Sequence, residues 1–264
     1  MIRDITIGQY YPSASSIHKL DPRTKIIGVF AYIISLFFIK YFIGYVFVAV
    51  SLYALIRASK VPLSYMLKGL KSIGFILAFT MILNLFFTTN GNEIFSFWIF
   101  RITDQGIIMA IKLGVRLVLL IVGSSLLTLT TSPIELTDGI ERLLKPFSKI
   151  GIPAHEIAMM MSISLRFIPI LIEETDKIMK AQLARGADFE TGNIIRRAKA
   201  MVPILIPLFI SAFRRADELA MAMEARCYRG GVGRTRLKSL TYSRNDVIAF
   251  VVMVVFLALS IFVI

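Results

Sequence analysis

The sequence predicts an all-α, L-shaped membrane protein with about five transmembrane helices, four toward the N-terminus and one at the C-terminus. Long helices on the cytoplasmic side complete the predicted fold. Of the 264 residues, 56% are hydrophobic and 18% are charged. Soluble domains carry about a quarter charged residues, and here the apolar residues also lie in blocks long enough to cross a bilayer. Both observations indicate an integral membrane protein.

The first apolar block predicts a hairpin of two short spans. Asp21-Pro22 precedes it and is a favourable helix start, because Asp caps the first amides and Pro fits the first helical position. Residues 26–56 contain a single charge, Lys40. One helix of that length would measure about 46 Å, which is too long for a hydrocarbon core of ~30 Å. We therefore expect the chain to turn at Lys40-Tyr41.

Three further spans are expected at residues 72–88, 106–131 and 247–264, with residues 89–105 as an external loop. Basic residues cluster after the first hairpin and before the last span, and loops rich in Lys and Arg stay in the cytoplasm. The N-terminus is therefore expected in the cytoplasm and the C-terminus outside. The predicted domains are the N-terminal spans, a cytoplasmic domain of long helices and the C-terminal span, at residues 1–131, 132–244 and 245–264.

Two basic residues interrupt the fourth expected span. Lys112 and Arg116 lie four residues apart, on one face of a helix. They either reach toward the outer interface and neighbouring helices, or make a polar contact that assembly requires. The expected spans contain no carboxylate to pair with them, so ion translocation is not indicated.

The region between the spans contains two long segments that begin apolar, become amphipathic and end on an Ala-Arg-small tripeptide. A capping box, Ser132 with Glu135, starts a short helix before them. We expect both tripeptides to be helix ends, with Gly186 just past the first helix. The two tripeptides are Ala184-Arg185-Gly186 and Ala225-Arg226-Cys227.

The paired arginines are the candidate functional residues. A single arginine in the last turn of a helix ordinarily complements the helix dipole. Two similar ends fit two similar receptors instead. A guanidinium is a rigid fork of donors that binds carboxylates or carbonyls with two bonds at once, which lysine does not match. We therefore expect Arg185 and Arg226 to contact partners in the cytoplasm.

The sequence contains no residue pattern typical of an enzyme or a metal site. Walker A and Gly-x-Ser-x-Gly sequences are absent, and His18 and His155 each lack a second ligand at metal spacing. The net charge of +13 fits the cytoplasmic loops of a membrane protein. A lipid-binding anchor would explain that charge but not the paired tripeptides. A secondary transporter would need inverted repeats and polar residues at the membrane midplane.

Several motifs together resemble the T components, the transmembrane scaffold subunits of energy-coupling factor (ECF) transporters, a branch of the ABC transporters. The resemblance covers essentially the full length. In the second tripeptide Cys stands where the first has Gly, which is a modest departure. The motifs are Ser16-Ile-His18-Lys-Leu20-Asp21-Pro22-Arg23-Thr-Lys25, Thr130-Thr-Ser-Pro133, Ser164-Leu-Arg166-Phe-Ile-Pro169, Ala181-Gln182-Leu-Ala184-Arg185-Gly186 and Glu224-Ala225-Arg226-Cys227-Tyr228-Arg229-Gly230.

The resemblance implies that each tripeptide tips a coupling helix docked on one of two cytoplasmic ABC ATPases. A separate membrane-embedded S component would bind a vitamin or similar micronutrient. The chain itself would be neither an enzyme nor a cofactor carrier, because ATP and Mg²⁺ would bind to the ATPases. The membrane subunit of a dedicated cobalt or nickel importer stays an alternative. The expected S-component contacts are Met160, Ile163, Phe213, Ala216, Ala220 and Met223.

Overall fold

The computed structural model describes residues 10–88, 92–97, 100–189, 193–231 and 240–263. The described chain is mostly helical, as predicted, and also contains one short ribbon of two strands. The helices are α1 (Pro22–Phe38), α2 (Phe42–Ser59), α3 (Leu63–Phe87), α4 (Asp104–Thr130), α5 (Pro133–Leu144), a 3-10 helix (Lys145–Ile150), α6 (Ala154–Ala184), α7 (Ile194–Ala225) and α8 (Arg244–Val263). The strands are β1 (Glu93–Phe97) and β2 (Phe100–Thr103).

The chain forms two compact units. One unit contains α1 to α4, the ribbon, the first half of α5 and α8, whereas the other contains the end of α5, the 3-10 helix, α6 and α7. The predicted boundaries at residues 131 and 244 stay a prediction.

The core of the first unit lies between α1, α2, α3 and α4. Leu36, Tyr45 and Val48 are almost fully buried there. The ring of Tyr32 packs directly on Gly123 of α4, where a side chain would collide with it. The Tyr32 hydroxyl donates to the carbonyl of Leu119 at 2.9 Å. Glycine therefore permits the close approach of α1 and α4, and the hydroxyl fixes their register.

Three described helices are long and apolar enough to cross a membrane, namely α2, α4 and α6. α3 adds a fourth span only if its two parts, Leu63–Lys71 and Ile73–Phe87, which are bent by 60° relative to each other, count as one. The predicted turn at Lys40-Tyr41 separates α1 from α2. α6 meets this criterion by length and composition alone, whereas the sequence predicts a cytoplasmic domain of long helices at residues 132–244. The chain is thus a multi-pass helical membrane protein.

A short ribbon of two strands lies in the segment expected to be an external loop, so the described chain is mostly and not entirely helical. Glu93–Phe97 and Phe100–Thr103 pair as an antiparallel ribbon, with Phe97 opposite Phe100 and an irregularity between Glu93 and Phe95. The two strands are rich in aromatic and β-branched residues, which favour extended backbone.

A buried carboxylate joins the starts of α1 and α8. Asp21 caps α1 as predicted, since its Oδ1 accepts from the amide of Arg23 at 2.9 Å. Asp246 Oδ1 accepts in turn from the amide of Asp21 at 2.7 Å. Its other oxygen accepts from the amide and the hydroxyl of Ser243, each at 2.7 Å. One side chain thereby satisfies amides at the starts of two helices.

The motif before α1 fastens the helix ends of this unit. Lys25 is 8% exposed, and its Nζ donates to the carbonyls of His18 and Thr130 at 3.0 and 2.9 Å. His18 Nε2 donates to the carbonyl of Tyr11 at 2.9 Å. These bonds hold the segment before α1 against the end of α4, so the motif that carries the resemblance is structural in this part.

Lys112 and Arg116 both face the turn between α1 and α2. Arg116 Nη2 donates to the Tyr45 hydroxyl at 2.7 Å and to the carbonyl of Ile39 at 3.3 Å. Lys112 Nζ donates to the carbonyl of Lys40 at 3.0 Å. The two cations bond carbonyls just past the end of α1, where helical partners are missing. Contact with neighbouring helices is therefore what the structure supports.

The capping box at the start of α5 is confirmed. Ser132 Oγ accepts from the amide of Glu135 at 3.3 Å, and Glu135 Oε2 accepts from the amide of Ser132 at 3.2 Å. α5 ends at Leu144. A 3-10 helix follows it and closes on Gly151, which has a positive φ of 92°. Glycine adopts this left-handed conformation without steric strain.

Candidate functional site

The end of α6 is a Schellman turn around the first arginine. Arg185 is the C-cap residue, and Gly186 follows with a φ of 85°. The Gly186 amide donates to the carbonyl of Leu183 at 3.0 Å, and the Ala187 amide donates to that of Gln182 at 3.0 Å. This pair of bonds defines the Schellman motif, in which the residue after the cap is left-handed. The predicted C′ position of Gly186 is confirmed.

The end of α7 repeats the same turn around the second arginine. The Cys227 amide donates to the carbonyl of Glu224 at 2.8 Å, and the Tyr228 amide donates to that of Met223 at 3.0 Å. Cys227 has a φ of 55°, so it occupies the left-handed position that Gly186 has in α6. Arg226 corresponds to Arg185. We call Ala184–Gly186 the first tip and Ala225–Cys227 the second tip.

Both tips present an arginine to solvent. The side chains of Arg185 and Arg226 are exposed, as are Ala184 and Ala225 before them. The Schellman bonds hold the backbone on either side of each arginine, so the guanidinium has a fixed point of attachment. An exposed guanidinium in this setting can form paired bonds to a carboxylate.

α6 and α7 pack as an antiparallel pair. Glu174 of α6 forms an ion pair with Arg215 of α7 at 3.5 Å. Farther along α6, Gln182 Nε2 donates at 3.3 Å to the carbonyl of Pro203, which lies earlier in α7. Residue numbers thus rise along one helix as they fall along the other. The tips therefore lie at opposite ends, separated by up to about 45 Å along a straight helix of 31 residues.

The bond from Gln182 has a specific cause in the sequence of α7. In a helix the carbonyl of residue 203 accepts from the amide of residue 207, but that residue is Pro207 and has no amide hydrogen. Gln182, close to the first tip, supplies the missing donor. This contact gives Gln182 of the resemblance motif a role that the sequence did not predict.

The six residues expected to contact an S component differ in exposure. Phe213 is 68% exposed and Met160 is 56% exposed. Ala216 and Ala220 are also exposed, whereas Ile163 and Met223 are half-buried. The antiparallel register of α6 and α7 places Ile163 and Met223 at about the same level along the two helices. Their assignment to an S component stays a prediction.

No group of three or more His, Cys, Asp or Glu side chains that could hold a metal ion occurs in the described parts of the chain. The described residues thus offer two exposed guanidinium groups on matching helix ends and an exposed apolar surface between them. These features suit binding to other proteins.

Most of the chain is similar in sequence to known membrane transport proteins. The profile of the CbiQ family, described as "Cobalt transport protein", matches residues 13–237. The chain is 60% identical over 262 residues to the energy-coupling factor transporter transmembrane protein EcfT of Clostridium kluyveri, covering 99% of this chain and 97% of the relative.

Two other relatives carry the same name. EcfT of Thermosediminibacter oceani is 57% identical over 250 residues, covering 95% of this chain and 94% of the relative. EcfT of Bacillus subtilis is 47% identical over 262 residues, covering 99% of both chains.

The fold and the site define a multi-pass helical membrane protein that presents two matching arginine tips. Because the family profile and these relatives match most of its length, the chain belongs to the CbiQ family, the membrane subunits of ECF importers. Its function is that of the transmembrane component of such a transporter.

Proposed function

We propose that this chain couples two cytoplasmic ABC ATPases to a separate membrane-embedded S component that carries a vitamin or similar micronutrient. Each tip docks on one ATPase, and its arginine pairs with carboxylates there. ATP and Mg²⁺ bind to the ATPases, so this chain needs no cofactor of its own. The observation that carries the proposal is the matched geometry of the tips, since Arg185 and Arg226 both stand at the C-cap of a Schellman turn.

The antiparallel pairing supports two docking sites rather than one. Tips at opposite ends of a helix of 31 residues fit two separate receptors better than two pockets of a single small protein. When ATP binding draws the ATPases together, the helices that carry the tips shift. The S component then tilts and releases its substrate inside the cell.

An apolar surface beside the tips is the proposed contact with the S component. Phe213 and Met160 expose large apolar side chains, and Ala216 and Ala220 are small enough for another helix to approach closely.

The proposed membrane topology has five spans, an L shape, an N-terminus in the cytoplasm and a C-terminus outside. Basic residues at the end of α2, Arg57 in its last turn and Lys60 at its C-cap, support that orientation.

A second candidate is the membrane subunit of a dedicated cobalt or nickel importer. The description of the CbiQ family, which names cobalt transport, favours it. The relatives are named as energy-coupling factor transporter proteins, which favours the general scaffold. Purification of the tagged chain from its native membrane, followed by mass spectrometry, distinguishes the two. Vitamin-binding membrane proteins in the complex support the scaffold, and a metal-binding membrane partner supports the importer.

The test of docking is the Arg185→Ala/Arg226→Ala variant. Losing one partner of a buried charge pair costs about 2–5 kcal/mol, so we expect the double variant to lose ATPase recovery in pull-downs and substrate uptake in vesicles. The matched control is Arg214→Ala/Arg229→Ala, which removes two exposed arginines from outside the tips. Undiminished recovery and transport with the double tip variant would refute the proposal.

A further inference from the structure

A hydrogen-bonded histidine lies beside the second tip. His155 is in the first turn of α6. Its Nε2 lies 3.3 Å from the hydroxyl of Tyr228, the residue that directly follows Cys227. Its Nδ1 lies 3.3 Å from Oε1 of Glu141 in α5. The imidazole thus links α5, the start of α6 and the chain that leaves the second tip.

The backbone after the tip also packs against this ring. A Cβ added to Gly231 would lie 2.6 Å from Cδ2 and 2.7 Å from Cγ of His155, so glycine is needed for the approach. The neighbouring Ala154 and Ala158 are the buried residues of α6. The start of α6 is therefore its packed end.

We call the contact of His155 with Tyr228 and Glu141 the His155 clamp. Its two hydrogen bonds can form whether the imidazole ring is neutral or protonated. A neutral ring donates a hydrogen bond from Nδ1 to the Glu141 carboxylate and accepts one from the Tyr228 hydroxyl at Nε2. A protonated ring donates from both nitrogens, and the Tyr228 oxygen then accepts. Both hydrogen bonds persist in either case, so the contact does not depend on a change of charge.

Through this contact both tips are attached to the same helix, α6. The first tip is the C-terminal end of α6 itself, whereas the second tip ends α7 but is bonded to the N-terminal end of α6 through His155. A displacement of either tip is therefore passed to α6. A supporting residue such as His155 holds a neighbouring functional residue in position through its hydrogen bonds.

We infer that His155 is a positioning residue that fastens the second tip to the start of α6, so that α6 carries an ATPase-docking tip at each end. The contact itself is read from the structure, whereas its role in coupling rests on the proposed function. Tyr228 and Glu141 are the two partners that hold the ring, and Gly231 provides the space for it.

The single cysteine of the chain allows a direct test, because Cys227 is exposed and belongs to the second tip. A nitroxide label is attached to it in the purified full chain in nanodiscs, and its motion is measured by electron paramagnetic resonance. We expect His155→Ala to shorten the rotational correlation time of the label severalfold. Tyr228→Phe should have a smaller effect, and Glu141→Gln, which keeps an acceptor oxygen, should resemble the native chain.

The matched control moves the label to the first tip. Gly186→Cys combined with Cys227→Gly places the single cysteine at the equivalent left-handed position of α6. His155→Ala should leave the motion of this label unchanged. An unchanged spectrum of the label at residue 227 would overturn the inference, because His155 would then not hold the second tip. Equal changes at both tips would also overturn it, because they would indicate that the whole helix pair has become more mobile.

A second measurement connects the clamp to coupling. His155→Ala keeps both tip arginines, so we expect recovery of the ATPases within about twofold of the native chain and a severalfold loss of transport. Unaltered transport would refute the role in coupling. If the ATPases fail to bind even the native chain, the proposed function is wrong while the label measurements still decide the clamp.

Discussion

Gly186 and Cys227 occupy equivalent positions in the two tips, each directly after the arginine that caps its helix and each with a positive φ, 85° and 55°. The sequence suggests that a small residue is needed there. The structure shows that the position needs a left-handed backbone, which glycine adopts easily and cysteine does not. The departure from Gly to Cys is thus a difference in strain, and the turn itself is preserved.

The first prediction concerns this left-handed position. Gly186→Ala should destabilise the first tip by about 1 kcal/mol or more, because a Cβ disfavours positive φ. Gly186→Asn should be milder, since Asn tolerates the conformation. Hydrogen exchange of the amides of Gly186 and Ala187, measured by mass spectrometry, reports the opening of the turn. Equal protection in the Ala variant and the native chain would contradict the prediction.

The second prediction separates a guanidinium from a simple positive charge. Arg185→Lys or Arg226→Lys keeps the charge and loses the two-bonded fork. We expect ATPase binding to weaken by about 1.5 kcal/mol, or roughly tenfold in Kd, for each change. Binding to purified ATPases by surface plasmon resonance provides the measurement. Arg214→Lys is the control, as its side chain is exposed outside the tips; an identical loss there would point to a general charge effect.

The third prediction compares the two basic residues of α4. Arg116→Met leaves the hydroxyl of Tyr45, which is 2% exposed, and the carbonyl of Ile39 without this donor. We expect a loss of about 1–3 kcal/mol of stability, because bonds from a charged donor are lost and only the long bond from the Tyr45 hydroxyl to the carbonyl of Ile39, at 3.5 Å, remains. Lys112→Met removes an exposed bond and should cost less than about 1 kcal/mol. Thermal unfolding in one detergent measures both, and the reverse order would contradict the assignment.

The fourth prediction tests the carboxylate that joins α1 to α8. Asp246 accepts three hydrogen bonds through its two oxygens. Asp246→Asn turns one acceptor into a donor that faces other donors, so we expect a loss of about 2–3 kcal/mol. Asp217→Asn, at an exposed position of α7, is the matched control. Thermal unfolding followed by tryptophan fluorescence gives the comparison, and equal midpoints for the two variants would exclude the role.

Local features of the fold were predictable from the sequence. Asp21 caps α1, Ser132 and Glu135 form their capping box, and Gly186 closes α6. Each of these depends on hydrogen bonds between residues only a few positions apart, so spacing and residue type are sufficient. The long apolar helices were predictable for a similar reason, because composition and length govern transfer to a bilayer.

Contacts distant in sequence were not predictable. Asp21 and Asp246 are 225 positions apart, and His155 and Tyr228 are 73 apart. His155 looks isolated in the sequence, and its partner Tyr228 comes near it only when the chain folds. The ribbon was missed because the segment between α3 and α4 is short and bounded by turn residues. No local signal could have identified the His155 clamp.

The sequence by itself determined the membrane class, the helix caps and the two arginine tips, because these follow from composition and from neighbours along the chain. Only the tertiary structure decided that the tips lie at opposite ends of an antiparallel pair, that Cys227 takes a left-handed conformation and that His155 holds the second tip. These outcomes depend on which helix faces meet. Packing and hydrogen bonds between distant segments decide which faces meet, and these contacts cannot be read from the order of the residues.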